Sequence, residues 1–179
     1  MKNIEKITIE NFGKEWNEFN QRNLPISDNL DMFEKYFNIF PLENLNKDSI
    51  VLDAGCGSGR WAFFMAPRVK NLICADPSNA INVAKKNLEK FKNVNFLNES
   101  IKDLSIKNNS IDFCYCLGVL HHTNDVKNNL KNLVNKLKMN SPILLYIYYN
   151  LENRSFFYKF LWKLSDFIRF FISKLPFKF

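Results

Sequence analysis

Apolar positions along this chain recur with two periods. Ser49 to Leu52, Asn71 to Ala75, Val94 to Leu97, Ile111 to Leu117 and Pro142 to Tyr149 are short, largely apolar runs that read as strands buried on both faces. Between them, Ser58 to Val69, Ser78 to Phe91 and Val126 to Leu137 place apolar residues at helical spacing. Upstream, Leu30, Phe33, Phe37 and Phe40 mark one face of a helix over Asp28 to Phe40, and Pro41 ends it. Strands alternating with amphipathic helices predict an α/β fold, with a parallel sheet covered by helices on both faces. No internal repeat interrupts the alternation.

The pattern changes after Asn150. Phe156, Phe157, Phe160, Leu161, Leu164, Phe167, Ile168, Phe171, Ile172 and Leu175 form a helical stripe, and Lys159, Lys163, Arg169 and Lys174 decorate the rest. The chain therefore divides into a domain over 1–150 and a basic amphipathic helix over 151–179. Three partners suit that helix: its own sheet, a second copy or partner, and an anionic membrane surface. It is expected to pack mainly on its own domain and partly shield the last strand. Enough apolar surface would remain for self-association or membrane contact.

A length of 179 residues suits one domain with a substantial core. No run approaches the ~20 apolar residues of a membrane span, and the N-terminus lacks the apolar region of a signal peptide. The four cysteines, at 56, 74, 114 and 116, sit in or beside apolar runs. They read as reduced, buried thiols of a cytoplasmic protein. Cys114-x-Cys116 lies on an expected strand with no matching pair elsewhere, so no metal site is expected. The net charge of +7 comes mostly from lysines spread along the chain among abundant asparagines. It reads as a solvated lysine face, not a specific nucleic-acid surface.

Candidate chemistry concentrates in Val51-Leu52-Asp53-Ala54-Gly55-Cys56-Gly57-Ser58-Gly59-Arg60. A strand runs into an acid, then three glycines at alternate positions, then a helix for which Ser58 is the expected N-cap. Glycine lets backbone approach a ligand closely, and a helix start turns free N–H groups toward it. A P-loop would need Gly-Lys-Ser/Thr, which is missing. A dinucleotide fingerprint reads G-x-G-x-x-G, and here the third glycine comes one residue early.

This shorter form, with its preceding Asp, resembles motif I of the class I S-adenosylmethionine-dependent methyltransferases. Further segments resemble the same family in order: Asp76-Pro77-Ser78, Glu99 to Leu104, Asn109-Ser110-Ile111-Asp112-Phe113, and Gly118-Val119-Leu120-His121-His122-Thr123-Asn124-Asp125. The resemblance covers roughly Phe12 to Asn150. It implies a Rossmann-like doubly wound sheet of order 3-2-1-4-5, with S-adenosylmethionine in the crevice beyond the first strand. Asp53, Ala54, Gly55, Cys56, Gly57 and Gly59 would form the cradle, Asp53 orienting the loop and receiving the amino group. Asp76 would bind the ribose hydroxyls, and Pro77 and Ile101 would flank the adenine. Ser100, where the family places an acid, would stand near the adenine amino group. The carbonyl of Leu117 would take the methionine ammonium.

Methyl transfer asks the protein mainly for alignment, because the cofactor carries the activated group. His121 and His122 fall by the site and suit either a base or a helix-start and substrate-shelf role, so no catalytic residue is assigned. Phe12, Trp16 and Phe19 read as a cover over the cofactor or as core. The family fold continues with two more strands that this sequence does not offer, so the chain resembles a C-terminally shortened member. A methyltransferase acting on a small-molecule or lipid-like acceptor is expected. The alternative is a non-catalytic cofactor-binding fragment or partner subunit, with a nicotinamide-dependent oxidoreductase as a third reading. The expected location is cytoplasmic, with peripheral membrane contact open.

Overall fold

The computed structural model describes residues 4–18, 25–148 and 151–172. Two helices, α1 (Ile4–Glu18) and α2 (Ile26–Phe37), precede strand β1 (Ile50–Ala54). A four-residue helix, α3 (Ala62–Met65), leads to β2 (Asn71–Ala75), and α4 (Ala80–Asn87) leads to β3 (Val94–Leu97). Then come β4 (Phe113–Leu117), α5 (Val126–Lys136), β5 (Ile143–Tyr146) and α6 (Phe156–Ile172). The five strands pair in parallel in the order β3-β2-β1-β4-β5, the expected doubly wound topology. Among the described residues no strand follows β5.

Each strand distributes its side chains alternately to two cores, as the pleat demands. Val51, Leu72, Cys74, Phe113, Tyr115 and Leu144 join Phe33 and Phe37 of α2 and Ile81 and Ala84 of α4 on one face. Leu52, Ala54, Ala75, Cys114 and Cys116 join Leu133 of α5 on the other. Phe33 and Phe37 are wholly buried, each contributing about 1.5–3 kcal/mol. Their stacked rings pack on Phe64 and Tyr115. At the amino end of the sheet, Asp112 accepts from the Ile50 amide at 2.9 Å and pairs with Lys138 at 2.6 Å. That contact fixes β1 against β4.

Several expected elements are shorter than their patterns, and one is corrected. Ser58 to Val69 is not one helix and Ser58 is not its N-cap. Gly59 sits at φ +78, in the left-handed region that breaks helical geometry, so α3 starts only at Ala62 and Ala66–Arg68 tightens into a 3-10 turn. The helix expected from Ser78 keeps only Ala80–Asn87, and the last strand only Ile143–Tyr146.

The chain forms two compact units, one ending at Ile147 and one beginning at Tyr148. Within the second, α6 has no buried residue. Lys174 and Leu175, placed in its stripe by periodicity, lie outside the described residues, as do Tyr149 and Asn150.

Candidate cofactor site

The carboxyl end of β1 turns into the glycine loop, and the turn is tied to β2. The Gly55 and Cys56 amides both donate to the Ala75 carbonyl, at 2.7 and 3.1 Å. The Gly57 amide donates to Asp76 Oδ2 at 3.0 Å. Asp76 Oδ1 accepts from the Ser78 amide and hydroxyl, at 2.9 and 2.6 Å. Asp76 thus ties the glycine loop to the end of β2. Three of the roughly four acceptor positions of its carboxylate are already used. One direction on Oδ2 remains open, and rotation of the Ser78 hydroxyl would free a second.

Asp53 has a different environment. It is 2% exposed and accepts a hydrogen bond from the Tyr115 hydroxyl at 2.9 Å. Parallel register puts Asp53 beside Tyr115 on the neighbouring strand. Burial pushes the Asp53 carboxyl up to about 8; the Tyr115 hydrogen bond opposes this and the nearby Asp76 charge adds to it. The two ion pairs among the described residues, Lys35–Asp31 and Lys138–Asp112, involve neither site acid. A dry carboxyl without a cation, at the end of a central strand, fits a ligand that brings its own positive charge. The ammonium and sulfonium of S-adenosylmethionine meet that requirement.

The remaining expected residues surround this centre unevenly. Ala54 is the last residue of β1 and fully buried. The Cys56 thiol is pushed well up by its contact with Cys74 and by burial, so it is a packing group, not a nucleophile. The Ser58 hydroxyl is buried without a hydrogen-bond partner, and Pro77 is half-buried after β2. Leu117 ends β4, in register with Tyr146. Next to it Gly118 adopts φ +76, and a Cβ there would meet nothing within 4 Å. That open space lies beside the carbonyl expected to receive the ammonium. Ser100 begins the 3-10 turn Ile101–Asp103 and donates to Asp103 at 3.0 Å, while Ile101 is buried in the core.

The leader reaches the same end of the sheet. A Cβ on Gly57 would stand 3.1 Å from Trp16 Nε1, so the indole covers the loop. Gly13 packs against Ser78 and Asn79. The Phe12 ring meets His122 edge-on, with centroids 5.0 Å apart. Phe19 lies outside the described residues. His121 and His122 occupy a 3-10 turn with ring centroids 4.1 Å apart. Burial holds both imidazoles below their ordinary pKa of 6.5, and His122 lowers His121 further.

Sequence reasoning missed three contributors. Asn98 donates to the Asp76 and Ser78 carbonyls, at 2.9 and 3.2 Å, and so locks the end of β3 to the Asp76 turn. One asparagine among so many carries no signal. Gly118 was visible only as part of a longer motif. Tyr115 did carry a signal, because a tyrosine in an apolar strand needs a partner for its hydroxyl, but only register names Asp53 as that partner. Among the described residues no cluster could hold a metal ion.

Comparison with known proteins agrees with this fold. Residues 51–140, from β1 almost to β5, match the methyltransferase domain family. The chain belongs to that family. S-adenosylmethionine is the family's cofactor, and the dry acid and glycine loop fit it. The tRNA U34 carboxymethyltransferase of Aliarcobacter butzleri is 35% identical over 120 residues, which are 62% of this chain and 37% of that protein. The protein so named from Campylobacter fetus subsp. fetus is 32% identical over 116 residues, 63% of this chain and 41% of that one. The chain thus spans about two fifths of the length of these curated relatives. Haemonchus contortus phosphoethanolamine N-methyltransferase 1, solved with phosphoethanolamine and S-adenosylhomocysteine, shares the fold. It superposes with a TM-score of 0.68 at 15% identity, over 81% of this chain and 32% of that one.

Proposed function

We propose that this methyltransferase domain binds S-adenosylmethionine between the glycine loop and the ends of β1, β2 and β4. It would transfer the methyl group to a small-molecule or lipid-like acceptor. The observation that carries the reading is the pairing of Asp76, tied to Gly57, with the dry, cation-seeking Asp53 at one end of the sheet. When bound, the cofactor supplies an already activated methyl group. Asp76 accepts from a ribose hydroxyl on its open Oδ2 direction, and Asp53 with the Leu117 carbonyl takes the ammonium. Pro77 and Ile101 flank the adenine, with Ser100 at its edge. Trp16 and Phe12 exclude water above the loop. Where the acceptor must lose a proton, His121 and His122, held neutral at pH 7, are the candidate groups to accept it, His122 the better placed because both ring nitrogens of His121 are buried.

Calorimetry with S-adenosylmethionine and S-adenosylhomocysteine tests the reading. Binding of both is expected, and no binding at millimolar cofactor overturns it. Turnover is then followed by screening metabolite and lipid extracts for a labelled methyl group. A second reading, an RNA acceptor, is favoured by the names of the curated relatives. Label appearing in tRNA and not in the small-molecule fraction would establish it in place of the first. Binding without turnover on either class would leave cofactor binding as the chain's whole activity.

A further inference from the structure

We propose that α6 docks on an anionic lipid surface, lying in the plane of the bilayer interface with its aromatic face immersed. The inference stands apart from the methyl-transfer reading and rests on the helix itself. At about 100° per residue, the apolar positions from Phe156 to Ile172, Phe170 excepted, fall within an arc of about 160°. Toward its centre are Phe157, Phe160, Leu164, Ile168 and Phe171, with Phe167 nearer one edge, and all six are exposed, Phe167 at 62%. A monomer in water rarely leaves so continuous an apolar face uncovered. Lys159, Lys163 and Arg169 occupy the remaining arc with one acid, Asp166. Tyr158 and Trp162 share that arc, and both are amphipathic rings suited to headgroup depth. A broad Phe/Leu face opposite a basic, aromatic-edged face is the chemistry of an interfacial helix.

Charge selects the bilayer over the other occupants. Two copies packed through their apolar faces would leave the basic, aromatic-edged arc in water, whereas an anionic bilayer engages the apolar face and the basic arc together. No described helix is long and apolar enough to cross a membrane.

The test is flotation of the full chain with vesicles of phosphatidylcholine alone or with about a quarter phosphatidylglycerol. Binding to the anionic vesicles is expected to be ~tenfold tighter or more, and to weaken with salt. Leu164→Glu with Phe167→Glu should abolish flotation without changing the thermal midpoint, because neither residue is buried. Lys159→Glu with Lys163→Glu leaves the apolar face intact and should erase only the preference for anionic lipid. Equal binding to both vesicles by the native chain, or flotation with neither, overturns the proposal. A native dimer that floats with neither vesicle and dissociates in Leu164→Glu with Phe167→Glu assigns the face to a second copy instead.

Discussion

Replacing Asp53 by Asn separates the stability of the empty fold from affinity for a cationic ligand. The folded carboxyl ionises only near pH 8, against an ordinary value of 3.8. A group whose folded pKa lies above its unfolded one holds its proton more tightly in the native state. Its contribution is therefore complete below about pH 3.8 and drains away as pH rises toward 8. The slope is about 1.4 kcal/mol per pH unit, so the loss between pH 5 and 8 has an upper bound of ~4 kcal/mol. Relaxation and water entry reduce it to ~2–4 kcal/mol. Asn keeps the shape and an acceptor oxygen for the Tyr115 hydroxyl but cannot ionise. In urea unfolding without cofactor, the native chain should lose stability from pH 5 to 8 and Asp53→Asn should lose far less. The variant should be the more stable protein at pH 8. Calorimetry should show the opposite for S-adenosylmethionine, weakened by ~1.5–3 kcal/mol through loss of the charge-assisted contact. Parallel pH profiles for the two proteins would refute the dry-carboxyl argument, and unchanged affinity would remove Asp53 from the site.

Asp76→Ala removes both the tie to Gly57 and the proposed ribose acceptor, so calorimetry should show ~1.5–3 kcal/mol weaker cofactor binding. An unaltered constant would take Asp76 out of the site. Gly59→Ala brings a Cβ to 2.8 Å from Leu88 Cδ1 and 3.2 Å from the Ala84 Cβ at φ +78, and should cost ~2–4 kcal/mol in denaturant unfolding. Gly118→Ala carries the same backbone strain into open space and should cost only ~1–2 kcal/mol. Equal losses would contradict the packing described around the loop. If a histidine is the base, activity should fall with acidification only below pH 6.5, where its lowered pKa lies. That limb should disappear in either His121→Gln or His122→Gln, and its persistence in both would exclude the pair.

The strands and the glycine turn were legible in the sequence because each rests on local chemistry, while the strand order followed from the family resemblance. Apolar runs such as Val51–Leu52 and Phe113 to Leu117 mark buried parallel strands wherever they occur. Glycine at alternate positions after an acid restricts the turn to conformations few other residues adopt. Helical spacing likewise marked Phe33 and Phe37 as core. The helix after the loop was overread, because apolar spacing from Ala62 onward does not report the left-handed φ of Gly59. What only tertiary structure decided is the division of labour between the two acids. Asp53 and Asp76 look alike in the sequence, each closing a strand. Parallel register sets Asp53 beside the Tyr115 hydroxyl in a dry core, while Asp76 meets the Gly57 amide and Ser78. A carboxylate's charge depends on the water and donors within a few ångströms of it, and those neighbours come from chain segments as far apart as β1 and β4.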